Sequence, residues 1–140
     1  MPEETRVPEG WREAEVQGLM HTIGPLLSFK DARGRRFGLA TDSRHANAVG
    51  RIHGGVITSL MDQVLAYEAW RAANRRPTVT VQMDTRFLAA ARPGDFIEAT
   101  AQVVQATRSM LFVEAQMVSG EKPLARASAV LKIVAGGDSR

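Results

Sequence analysis

Between His53 and Pro77 the chain offers almost no side of a helix that could be left in water. At about 100° per residue, Val56, Ile57, Leu60, Met61, Val64 and Leu65 fall within one half of the wheel, the face a sheet would cover. A second strip carries only small side chains and one acid: Gly55, Thr58, Asp62, Ala66, Ala69 and Ala73. A helix that is apolar or small nearly all round is packed from several sides, so this segment is expected at the centre of the domain. Asp62 is then expected at a crowded contact, where a carboxylate must be paired, hydrogen-bonded or shifted in its ionisation. The competing reading is a solvated helix acid, because a single acid does not by itself mark a site.

The segment before the helix, Asn47-Ala48-Val49-Gly50-Arg51-Ile52-His53-Gly54-Gly55, turns on glycines and runs directly into it. Such a junction sets unpaired N–H groups and the positive end of the helix dipole near an acid two turns further on. That is the outline of a catalytic site.

The remaining elements frame this centre. After Pro77 the period changes to two: Val79, Val81, Met83 and Phe87 alternate with Thr80, Gln82, Asp84 and Arg86, as in a strand with one face on a core. Residues 23–30 and 35–41 flank Asp31-Ala32-Arg33-Gly34 and read as a hairpin. Pro93-Gly94 turns the chain into a strand at 96–106, and strands at 110–118 and 124–134 follow. Residues 11–21 are predicted to form a short amphipathic helix through Trp11, Val16, Leu19 and Met20. One long helix against about five or six antiparallel strands is an α+β domain. The 140 residues make a single domain, with 1–10 and 136–140 expected to be flexible. Met61, Leu65, Trp70, Phe87 and Leu88 are assigned mainly to the core, and Glu68, inside the apolar arc, to a buried ion pair or a second acid.

Composition excludes several classes. An apolar share of 44% with 24% charged residues fits a folded globule and argues against disorder. The absence of cysteine removes disulfides and a thiol nucleophile. No export signal or membrane-length apolar run is visible, so a cytoplasmic location without membrane attachment is expected. The net charge of +3 favours anionic partners. Nucleic acid is not expected among them, since the few aromatics are not interleaved with basic residues and no binding motif is present. His21, His45 and His53 lack the pairing of common zinc sites, and neither a Gly-x-Ser-x-Gly elbow nor a P-loop occurs, so no metal and no separate cofactor are expected.

Asn47 stands six places before His53 and Asp62 nine places after it, with Gly50 and His53-Gly54-Gly55 between them. This order resembles the signature of hotdog-fold acyl-CoA thioesterases, specifically the phenylacetate-pathway thioesterase-like subfamily. The likeness extends from residue 23 to 134, through the strand at 78–88, the Ala90-Ala91-Arg92-Pro93-Gly94-Asp95 turn and three further strands. It implies a sheet curled around the long helix, and subunits paired edge to edge as a homodimer, with a dimer of dimers expected. It also implies active sites at the subunit interface, where the loop and helix start of one chain face the acid of the other.

The activity so implied is hydrolysis of acyl-CoA thioesters, coenzyme A being part of the substrate. Backbone N–H groups of Gly54 or Gly55 would polarise the carbonyl. Asp62 would act as general base or as nucleophile. Asn47, with a donor and an acceptor, would hold the water or the thioester, and His53 would shape the loop. Thr80 falls where some relatives carry a hydroxyl that aligns water, although strand parity turns it opposite to Val79 and Val81. Arg108, Ser109 and Arg92 are the candidates for the nucleotide end; Arg33, Arg35, Arg36, Arg75 and Arg76 are read as surface charge. Two alternatives are a non-catalytic acyl-CoA sensor, against which Asp62 argues, and an acyl-thioester hydratase, which the His53 to Asp62 spacing does not fit. The acyl group is left open.

Overall fold

The structure, a computed structural model, describes residues 5–134; the outermost parts of the ends expected to be flexible, 1–4 and 136–140, lie outside the described residues. In chain order the elements are β1 (Arg12–Glu13), α1 (Leu19–Ile23), β2 (Leu27–Asp31), β3 (Gly34–Ala40), a 3-10 turn (Ser43–His45), α2 (Gly54–Ala72), β4 (Thr78–Phe87), β5 (Phe96–Ala106), β6 (Met110–Ser119) and β7 (Lys122–Ile133). The strands form one antiparallel sheet in the order β1-β2-β3-β5-β6-β7-β4. This is the expected hotdog architecture, with seven strands in place of five or six.

The additional strand comes from the segment predicted to be helical. Only residues 19–23 form a helix; Arg12 and Glu13 pair with Ser28 and Leu27. The cause is tertiary. Trp11 packs its ring against Phe96 at 4.9 Å and Phe29 at 5.6 Å, which draws the chain out along the sheet.

Helix α2 buries the face its wheel predicts: Leu60, Met61, Val64 and Leu65 are 0% exposed, and they join Ile97, Leu111, Met117 and Leu131 of the sheet in one core. Removing each such side chain from water stabilises the fold by about 1.5–3 kcal/mol. The strip of small residues behaves differently along its length. Ala69 and Ala73 are buried, whereas Gly55, Thr58, Asp62 and Ala66 are partly or largely exposed. The small strip is therefore covered only in the last turns, where Trp70 and Arg71 are exposed on the other side, and Asp62 is half-buried, not enclosed, in a single chain. The helix closes where Asn74 and Arg75 turn left-handed and Arg75 N–H reaches the Trp70 carbonyl at 2.8 Å. Among the described residues, no helix is long and apolar enough to cross a membrane.

Three of the large apolar residues assigned to the core are not in it. Trp70 sits at the surface beneath the Arg75 guanidinium, and Phe87 and Leu88 are exposed at the end of β4. Among the described residues, strand β4 is the sheet's edge and pairs only with β7. Its alternation also breaks. Thr80 pairs with the buried Leu131 and Gln82 with Val130, so Val81 is an extra residue, a bulge. On either side of it Thr80 and Met83 both face α2, while Val79 and Val81 are 41% and 57% exposed. The expectation that Val79 and Val81 face the core is corrected by this shift.

Candidate active site

The loop leading to α2 is fastened at both ends. Asp42 and His45 form a reciprocal cap: Arg44 N–H donates to Asp42 Oδ1, and Asp42 N–H to Nδ1 of the buried His45. His45 Nε2 then faces the Ile23 carbonyl at 2.5 Å, so both ring nitrogens serve structure. Ala46 bridges to Ile52, whose N–H donates to the Ala91 carbonyl, and His53 N–H donates to the His45 carbonyl. Gly50, at φ +78°, makes the reversal between them.

Asn47 closes that reversal from inside. Its Oδ1 accepts N–H bonds from Val49 at 3.1 Å and Arg51 at 3.0 Å, which also fixes the orientation of the amide. The acceptor proposed for substrate is thus committed to the loop. Only the Nδ2 donor is left to meet another molecule.

His53 is the N-cap of α2. Its Nδ1 accepts from Gly55 N–H at 2.8 Å, which assigns the ring proton to Nε2. Of the two amide donors named from sequence, the Gly55 N–H is therefore occupied. Gly54 N–H has no acceptor among the described residues, and the Phe87 ring lies beside it, 3.3 Å from where a Gly54 Cβ would stand. A free donor at a helix start next to an aromatic wall is suited to a carbonyl oxygen carried by an apolar group.

Asp62 meets Thr80, whose Oγ1 donates to Asp62 Oδ1 at 2.8 Å. The bulge at Val81 makes this contact, which a regular alternation with Val79 and Val81 inward would forbid. The structure thus turns Thr80 toward the acid, not away from it. Glu68 does not compete for this place: its side chain is 15% exposed and held by Arg71 at 3.3 Å, the paired reading of the two expected.

Within one chain the amide donor and the acid do not converge. Gly54 and Asp62 are eight residues apart on α2, about 12 Å along the axis at 1.5 Å per residue. A single carbonyl group cannot contact both. Arg92, Arg108 and Ser109 are exposed, and the backbone of Arg92 is tied to Asp95 in the Pro93-Gly94 turn. The arginines read as surface charge are more engaged than sequence indicated. Arg36 bridges Asp31 and Glu98, Arg76 Nε donates to the Ala73 carbonyl, and Arg35 turns inward to Tyr67.

Residues 49–125 match the family profile of the thioesterase superfamily. A Pseudomonas aeruginosa protein named as an esterase is 33% identical over 130 residues, covering 91% of this chain and 97% of the relative. Human acyl-coenzyme A thioesterase 13 is 25% identical over 81 residues, 58% of each chain. Among solved structures, zebrafish thioesterase superfamily member 2 superposes with a TM-score of 0.77 at 22% identity, over 86% of this chain and 89% of that one. The Escherichia coli PaaI protein of the phenylacetic acid degradation operon gives 0.67 at 24% identity over 73% of each. A Streptococcus mutans protein bound to acetyl CoA gives 0.64 at 20% identity, over 71% and 79%. These superpositions show a shared fold.

Proposed function

The chain belongs to the thioesterase superfamily, and from that premise we propose that it hydrolyses acyl-CoA thioesters to the free acid and coenzyme A. The observation that carries the reading is the Asp62 carboxylate held by the Thr80 hydroxyl on an open face of α2, in a chain whose Gly54 N–H is unclaimed at the helix start. Names among the relatives and acetyl CoA in one structural neighbour support the thioester class.

In the proposed step the thioester oxygen accepts from Gly54 N–H of one subunit, and Asp62 of the other takes a proton from water as its oxygen attacks the carbonyl carbon. The C–S bond then breaks, the acid leaves, and the thiolate takes up the proton. Direct attack by the Asp62 carboxylate, giving an anhydride that water opens, is the variant of the same step. Asn47 Nδ2 would hold the thioester or the water while its Oδ1 is kept by the loop, and His53 keeps the turn in shape through Gly55. No metal or further cofactor is invoked.

The two-turn separation of Gly54 and Asp62 supports a homodimer in which each supplies half of a site. The unpaired outer edge of β4, with exposed Val79 and Val81 beside it, supports edge-to-edge pairing. A dimer of dimers in the cytoplasm, with Arg92, Arg108 and Ser109 at the nucleotide end, completes the proposal. The test is a panel of aromatic and straight-chain acyl-CoAs read by free thiol, on wild type and Asp62→Asn. Thiol release that depends on Asp62 is expected. Equal rates in the two proteins, or tight binding with no release by wild type, would remove the proposal.

A further inference from the structure

The ladder between β3 and β5 stops at Phe37 and Ala99, although β3 begins at Gly34 and β5 runs on to Ala106. Where the strands part, a groove of about 770 Å³ opens, lined by the β2–β3 hairpin, by β5 to β7 and by Glu68 and Arg71 near the end of α2. None of Asn47, His53, Gly54, Gly55, Asp62 and Thr80 lines it. It is not the thioester site of this chain.

Its charges do not cancel. Arg36 bridges Asp31 and Glu98, and Arg71 holds Glu68, which accounts for two of the five guanidiniums and three of the four carboxylates. Arg33, Arg35 and Arg126 make no ion pair among the described residues, and the five guanidiniums against four carboxylates leave the lining an excess of one positive charge (5 − 4). Arg35 is the telling member because it is half-buried and fixed. Nε donates to the Tyr67 hydroxyl at 3.0 Å, Nη1 to Ser28 Oγ at 3.1 Å, and the guanidinium lies 5.6 Å from the Tyr67 ring centre. These are neutral partners. They orient the fork without neutralising it, and Nη2 has no acceptor among the described residues.

We propose that this groove is a second ligand site, for a phosphate-bearing anion. A preoriented guanidinium matches phosphate with paired hydrogen bonds, and two further arginines outside any ion pair, Arg33 and Arg126, line the same groove. The volume lies within the range of about 300–1,000 Å³ usual for small-molecule sites. The phosphate reaches the groove either free or as the phosphorylated end of a nucleotide.

Isothermal titration of the full chain with inorganic pyrophosphate, and separately with adenosine 3′,5′-bisphosphate, at constant ionic strength tests this. At least one probe is expected to bind, about tenfold or more weakly once a charge-assisted bond is removed by Arg35→Gln. Arg33→Gln, at an exposed turn residue, gives the same direction without touching the Tyr67 contact. Asp62→Asn binds as wild type, which separates this result from any failure of the hydrolase proposal. Binding of both probes indicates that phosphate alone suffices; binding of the bisphosphate alone indicates the nucleotide. The site is refuted if neither probe binds, or if binding is unchanged in both arginine variants, whether or not Arg108→Gln abolishes it.

Discussion

Thr80 Oγ1 donates to Asp62 Oδ1 at 2.8 Å, joining the edge strand to the central helix at the acid. The bond occupies one carboxylate oxygen and leaves the other without a hydrogen-bond partner among the described residues. Asp62→Asn is expected to lower kcat by about 10²–10⁴-fold, the range for a general base. Thr80→Val is expected to lower it by about tenfold, one hydrogen bond to a charged group, and Thr80→Ser to keep most of the rate. Steady-state kinetics on one acyl-CoA, with melting curves to confirm the fold, decide this. Wild-type turnover in Thr80→Val would make the contact merely structural.

His53 acts through Gly55. His53→Ala removes the N-cap acceptor and is expected to cost about 1 kcal/mol, within the usual 0.5–2 for a lost cap. His53→Asn, which supplies an acceptor, recovers most of it. If His53 only positions the turn, activity in His53→Asn returns together with stability, and the pH–rate profile keeps its shape. A profile that loses one limb in His53→Asn would make the ring a proton carrier.

Asp42 gives the acid response its sign. The Arg44 side-chain hydrogen bond, above all, holds the Asp42 carboxyl below its ordinary value of 3.8. A group whose folded value is depressed adds stability that is present above the unfolded value and lost as pH falls through the folded one. Asp42→Asn retains an acceptor for the cap but drops the charge. The two side chains are 50% and 53% exposed, so solvent limits the effect to under about 1 kcal/mol. Urea unfolding of wild type and Asp42→Asn should show a constant gap from neutrality to about pH 4 that shrinks in stronger acid. A gap that widens there would contradict the assignment.

Gly38 tests how tightly the sheet's first strands close. A Cβ at this position would stand 2.8 Å from the Phe96 ring and 3.0 Å from both the Trp11 ring and the Ile97 carbonyl oxygen. Gly38→Ala is expected to destabilise the fold by about 1–3 kcal/mol, as overpacking does. Combining it with Phe96→Leu should recover part of the loss. Unchanged unfolding in the single variant would mean that the ring moves aside freely.

The buried face of α2 was legible because period and burial are both written in the residues themselves: Leu60, Met61, Val64 and Leu65 fall where the wheel puts them. Strand parity turned Thr80 away from the core, whereas the structure sets its hydroxyl against Asp62. No glycine or proline marks Val81 as an extra residue, and only its pairing with β7 reveals the bulge. Trp11 fitted a helical spacing with Val16 and Leu19, but its partners, Phe29 and Phe96, are remote in sequence. The role of Asn47 was read too broadly, since nothing local shows that Val49 and Arg51 take its oxygen. Arg35 was passed over for a similar reason: a strand arginine discloses its side only through the tyrosine it meets.

Gly54 and Asp62 ride the same helix two turns apart, so in the proposed dimer every chain would contribute to two different reaction centres and complete neither. Damage to one end should then be complemented by damage to the other. Proline is well tolerated at a first helical position and lacks the N–H, so Gly54→Pro removes the donor alone. Mixed and allowed to exchange subunits, inactive Gly54→Pro and inactive Asp62→Asn copies should regain turnover that neither possesses.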